Sequence, residues 1–146
     1  MPITKGYRAL VDEAMAQVKT YTVAQVRERG ADAKLQVVDI RDVRELQAEG
    51  TVPGSYHAPR CMLEFWVDPE SPYHKKIFAD EGKEFVLFCG AGWRSALADA
   101  GLGQGDGLLW HGNFTSQGGY EAMHALLRAA TPPRLTGTRG FCRREM

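Results

Sequence analysis
The chain has 146 residues, enough for one domain with its own core, and its 44% hydrophobic and 25% charged composition excludes wholesale disorder. Eighteen basic residues balance eighteen acidic ones, so no bulk field favours nucleic acid or an anionic membrane, and no apolar run approaches the roughly 20 residues that span a bilayer. Three widely spaced cysteines without a CxxC pair exclude a disulfide framework or zinc cluster as the first reading. With an N-terminus lacking a secretory apolar stretch, they point to the cytoplasm.

Residues 7–18 place Leu10, Val11, Ala14, Met15 and Val18 at helical spacing and predict an amphipathic helix. A second helix fits residues 22–29, with Thr22 as N-cap and Gly30 as stop. The β-branched run 35–40 predicts a buried strand, and residues 41–50 a helical turn or two closed by Gly50. Pro53-Gly54 marks a turn. Residues 61–79 read as a long aromatic-rich connection with a short helix near 74–78. Its Phe65, Trp66, Tyr73 and Phe78 are expected to cover a core edge rather than form a partner surface. A second apolar strand, 84–88, ends directly on Cys89.

A tight loop follows at 90–93, then a helix from Arg94. Four glycines between 101 and 107 each cost about 1 kcal/mol in a helix, which predicts a short or marginal one. A third strand fits residues 108–111 and a last helix residues 120–129. The alternation predicts an α/β fold: an open parallel sheet flanked by helices on both faces. It occupies residues 1–130 as a single domain, and residues 131–146 read as a loosely ordered tail.

Cys89-Gly90-Ala91-Gly92-Trp93-Arg94-Ser95 carries the chemistry. A cysteine where a strand meets a helix start faces backbone N–H groups and the positive helix end, which favours the nucleophilic thiolate. Gly90 and Gly92 allow the backbone to form an anion-binding nest, and Arg94 adds a fixed, permanently charged fork. Sulfur transfer, phosphoryl transfer and arsenate reduction all use such an arrangement. Four residues separate Cys89 from Arg94, one fewer than the CxxxxxR cradle of a tetrahedral phosphate or arsenate. The smaller ring favours sulfur.

Three segments resemble the single-domain rhodanese-like (sulfurtransferase) family. The first holds Val37-Val38-Asp39-Ile40-Arg41, Glu45 and Gly50-Thr51-Val52-Pro53-Gly54-Ser55, followed by His57 and Pro59. The others are Phe85-Val86-Leu87-Phe88-Cys89 with Arg94-Ser95, and Gly118-Gly119-Tyr120-Glu121-Ala122-Met123. The resemblance implies that Cys89 takes sulfur from a small donor such as thiosulfate and passes it, as a persulfide, to a thiol or cyanide; a protein acceptor also fits. Gly90, Ala91, Gly92, Trp93, Arg94 and Ser95 would bind substrate, with Asp39 and Arg41 buttressing the loop. It implies no metal or organic cofactor. A Cys-Gly-x-Gly opening also resembles mercaptopyruvate-using relatives, and Trp93 walls the pocket mouth.

The bland readings are a buried, inert Cys89, a structural Cys61 and an incidental Cys142. His57, His74, His111 and His124 lack metal-ligand spacing. The rival functions are a non-catalytic interaction module on the same fold and a phosphatase or arsenate reductase.

Overall fold
The computed structural model describes residues 2–103 and the backbone of residues 109–112. The expected helix at 120–129, the Gly118–Met123 segment, the tail and Cys142 lie outside the described residues. Five α-helices and five strands are described: α1 (Tyr7–Gln17), β1 (Thr20–Tyr21), α2 (Val23–Glu28), β2 (Leu35–Asp39), α3 (Val43–Glu49), β3 (Tyr56–His57), α4 (Leu63–Val67), β4 (Glu84–Phe88), α5 (Trp93–Leu102) and β5 (Leu109–Gly112). Two 3-10 turns, Arg60–Met62 and Lys76–Ala79, lie between β3 and β4, the second near the short helix expected at 74–78. The strands form one sheet in the order β1-β5-β4-β2-β3, and every neighbouring pair is parallel.

Local chemistry sets the element ends. Thr22 closes a capping box at α2, accepting from the Gln25 N–H while Gln25 returns the bond to the Thr22 N–H. Gly50 and Gly103 end α3 and α5 with φ of 77° and 81°, the region that glycine enters without a Cβ penalty.

Alternation along the central strands explains the layers. In the β2–β4 register Val38 faces Leu87 across the ladder, so both point to the same side. That side gathers Val38, Ile40, Phe85, Leu87 and Cys89 against Leu63 of α4 and Ala98 of α5. The opposite side presents Phe88 and Val37, packed with Val23 of α2 and Val52. Helices therefore cover both faces, as the sequence pattern predicts. Cys89 lies two residues beyond Leu87, so the same alternation turns it toward α5.

The connection between β3 and β4 divides the aromatic residues. Trp66 and Phe78 pack on the core, and Phe78 contacts Tyr56 and Phe85 with ring centroids 5.8 and 5.2 Å apart. Phe65 and Tyr73 are exposed and meet each other edge-on, so the expectation of a covered core edge holds for only half the set.

The helix after the loop corrects the glycine arithmetic. It runs ten residues, Trp93–Leu102, and is not short. Gly101 is its single glycine, Gly103 serves as the stop, and Ala96 and Ala98 are fully buried, Ala98 in the core cluster on the sheet. Packing decides here, because burial of one apolar face outweighs one unfavourable propensity.

Asp99 is buried on this helix, and burial pushes its carboxyl up to about 7. The folded chain therefore favours the protonated form, whereas the unfolded chain ionises near pH ~4. Stability drains away as pH rises from about 4 to about 7, where the unfolded state releases its proton and the folded state retains it. Thermal melts of Asp99→Asn and the parent should differ little near the acid end and increasingly above it, the variant melting higher at about pH 8. A gap that narrows with rising pH contradicts this.

Candidate active site
The site forms at the carboxyl end of β4, where parallel α/β sheets leave room for ligands. Cys89 follows the strand, is 1% exposed, and places Sγ 3.7 Å from the Ser95 hydroxyl. Ser95 Oγ also lies 3.0 Å from the Gly92 carbonyl, to which it donates. It has one proton to give, so it serves either the turn or the sulfur at a given moment.

Between them, residues 90–92 make a compact turn and α5 begins at Trp93, one residue before the expected start. Gly92 has φ 80° and ψ −13°, the left-handed conformation, and caps α5. Gly90 has no positive φ, and a Cβ there would meet Arg94 Nη2 at an ordinary 3.6 Å. Of the two loop glycines, only Gly92 is required by its backbone angle. Gly92→Ala should cost about 1–2 kcal/mol in denaturant unfolding and lower turnover by displacing the loop; unchanged stability would contradict the assigned backbone. Among the described residues, the N–H groups of Gly90, Ala91, Gly92, Trp93 and Arg94 donate to no other protein group. A turn with unengaged donors next to a sulfur suits an anion.

Arg94 folds back over this turn. Its guanidinium grips Glu45 of α3 through both nitrogens, Nη1 to Oε2 at 2.6 Å and Nη2 to Oε1 at 2.8 Å. The Glu45 carboxylate above all, and then the nearby Cys89 sulfur, raise Arg94 above its ordinary value and keep it charged. Arg94 in turn lowers Glu45 below the usual glutamate range. Glu45 also accepts from the Asp42 N–H at 3.1 Å, the return bond of the α3 capping box. One carboxylate thus ties a helix start to the loop. Glu45 stands in the first of the resembling segments, but nothing in the sequence pairs it with Arg94; its place three residues after the Asp42 cap is the visible signal of its capping role.

Asp39 and Arg41 are fully buried. Arg41 donates to both Asp39 oxygens, Nε to Oδ1 at 3.0 Å and Nη2 to Oδ2 at 2.8 Å, and also to Glu49 and the Gly50 carbonyl. Thr51 donates to Asp39 Oδ2 at 2.7 Å. The Arg41 guanidinium lies 5.5 Å from the ring centroid of Phe88, the residue before Cys89. These two residues are tied to each other and to the end of α3, beside the strand that leads to Cys89. Trp93 stands at its rim, 47% exposed. Cys61 is exposed, and no group of three His, Cys, Asp or Glu residues suited to a metal occurs among the described residues. No helix among the described residues is long and apolar enough to cross a membrane.

Comparison with known families matches the rhodanese-like domain to residues 22–126. The chain belongs to the rhodanese-like domain family. A solved structure from Rhodopseudomonas palustris CGA009, of a protein of unknown function described as a possible tyrosine phosphatase, is 41% identical. It aligns with a TM-score of 0.69 over 83% of this chain and 92% of its own. The human single-domain sulfurtransferase TSTD1 aligns with a TM-score of 0.50 at 24% identity, over 71% of this chain and 96% of its own, a likeness of fold. Comparison with curated proteins gives no match. The rhodanese-like match ends short of α1: Tyr7–Gln17 precedes it.

Proposed function
We propose that this rhodanese-like domain is a sulfurtransferase working through a persulfide on Cys89. The Cys89 thiolate attacks the outer sulfur of a donor such as thiosulfate. A new S–S bond forms, the donor's S–S bond breaks, and sulfite leaves with the electron pair. The anionic persulfide then gives its outer sulfur to a thiol or to cyanide, and Cys89 returns to a thiolate. The reading rests chiefly on one observation: the Cys89 sulfur lies under a turn whose N–H groups are unengaged, with the Arg94 guanidinium beside it. Cys89 and residues 90–95 carry the chemistry in this scheme, while Asp39 and Arg41 hold the frame.

A phosphatase reading draws on the description of the Rhodopseudomonas palustris structure. Two features weigh against it. The ring between Cys89 and Arg94 has four residues, one fewer than a tetrahedral phosphate cradle. The Arg94 charge is also already matched by Glu45, which leaves less attraction for a phosphate dianion. Purified protein should convert thiosulfate and cyanide to thiocyanate and leave an aryl phosphate intact. Aryl phosphate turnover that disappears in Cys89→Ser would replace this reading. Absence of both activities would favour an interaction module.

A further inference from the structure
α1 lies outside the family match, yet it reaches the reactive loop. Tyr7 and Trp93 form a tilted ring pair with centroids 5.6 Å apart, and both stay about half exposed, at 55% and 47%. Beside them is a cavity of about 290 Å³ lined by Tyr7, Arg8, Val11, Asp12 and Trp93. Trp93 is a wall of this cavity and also the first residue of α5, directly after the turn that follows Cys89. Arg8 and Asp12 cancel in charge, and the remaining lining is two rings and a valine. Such a lining rewards an uncharged apolar or aromatic group and gives an inorganic anion little to hold.

Charge at the sulfur points the same way. When Cys89 attacks as a thiolate, it and Glu45 contribute two negative charges and Arg94 one positive, which leaves −1 at the turn. Arg44 and Arg41 do not offset this, because Asp42 holds the first, and Asp39 and Glu49 the second. Thiosulfate approaches as a dianion and meets repulsion that a singly charged donor meets at half strength.

Resting on the persulfide reading, we propose that the preferred donor is an organic sulfane-sulfur anion of single charge whose apolar substituent sits in the groove between Tyr7, Val11 and Trp93. For an organic thiosulfonate, the Cys89 thiolate bonds to the terminal sulfur, the S–S bond to the sulfonyl sulfur breaks, and a sulfinate leaves with the electron pair. Charge is conserved, and no oxidant or reductant enters.

The test compares three donors with cyanide as acceptor. Methanethiosulfonate against thiosulfate reads the charge, and benzenethiosulfonate against methanethiosulfonate reads the substituent, each ratio of kcat/KM corrected by the same donors' reaction with free glutathione. Both corrected ratios should exceed about tenfold. Tyr7→Leu and Trp93→Ala should each bring the substituent ratio down at least about fivefold, with melting temperatures near that of the parent because both side chains are half exposed. Glu45→Gln should raise thiosulfate relative to methanethiosulfonate. A substituent ratio that neither groove variant moves overturns the subsite, and a parent that prefers thiosulfate overturns the charge argument. The failure of all three donors to form a persulfide on Cys89 would instead strike the sulfur-transfer reading itself, and the proposal with it.

Discussion

Cys89→Ser is expected to reduce thiocyanate formation from thiosulfate and cyanide by at least about a thousandfold, to the uncatalysed background. Substituting oxygen for sulfur changes little in volume, and the side chain lies in a buried cluster beside the Ser95 hydroxyl, which can partner an alcohol as well as a thiol. The fold should therefore persist, with a melting temperature within a few degrees of the parent. The loss is chemical. A serine hydroxyl is far harder to ionise than a thiol, and a carrier O–S bond has no comparable route to a stable persulfide-like state. A variant that keeps substantial turnover with an unchanged melt would remove Cys89 from the mechanism.

Arg41→Ala should destabilise the domain by about 3–5 kcal/mol, enough to leave a large unfolded fraction in a protein of ordinary stability. Arg41 is fully buried and satisfies Asp39, Glu49 and the Gly50 carbonyl together. Its removal leaves the Asp39 carboxylate, among the described residues, with the Thr51 hydroxyl and the residue-41 backbone N–H as donors. It also withdraws the cation from the ring of Phe88, next to Cys89. The conservative Arg41→Lys cannot reproduce the two-pronged grip and should recover only part of the loss in urea unfolding. A midpoint unchanged in Arg41→Ala would show that the buried pair is not what holds β2 to the α3 region.

These two residues also show what the amino-acid order makes legible. Strand β4 coincides with the predicted run 84–88, because a continuous apolar stretch between Lys83-Glu84 and a glycine loop has few other uses. β2 ends at Asp39, one residue short of the expected run, where the ladder gives way to the Arg41 network. β1 and β3 are two residues each, too short for any period to register. α4, Leu63–Val67, lies in an aromatic stretch that carries no cap or period of its own. For α5, summing glycine costs misjudged the length, because Gly103 lies at the stop and buried alanines secure the rest.

The site shows the same division. The proposed nucleophile and its turn are neighbours in sequence, so Cys89 and residues 90–95 can be read directly. The Arg94–Glu45 pair joins residues 49 positions apart, and Tyr7 meets Trp93 from a helix outside the family match. Only the folded chain brings these together, and they set the charge and the shape around the sulfur.

Intact-mass and peptide mass spectrometry after brief exposure to thiosulfate, without acceptor, reads directly whether Cys89 carries the sulfur. An addition of about 32 Da, one sulfur atom, is expected on the peptide containing Cys89, removed by cyanide and absent from Cys89→Ser. An unmodified Cys89 alongside a thiosulfate-derived sulfur on Cys61, or no added sulfur at all, would contradict it.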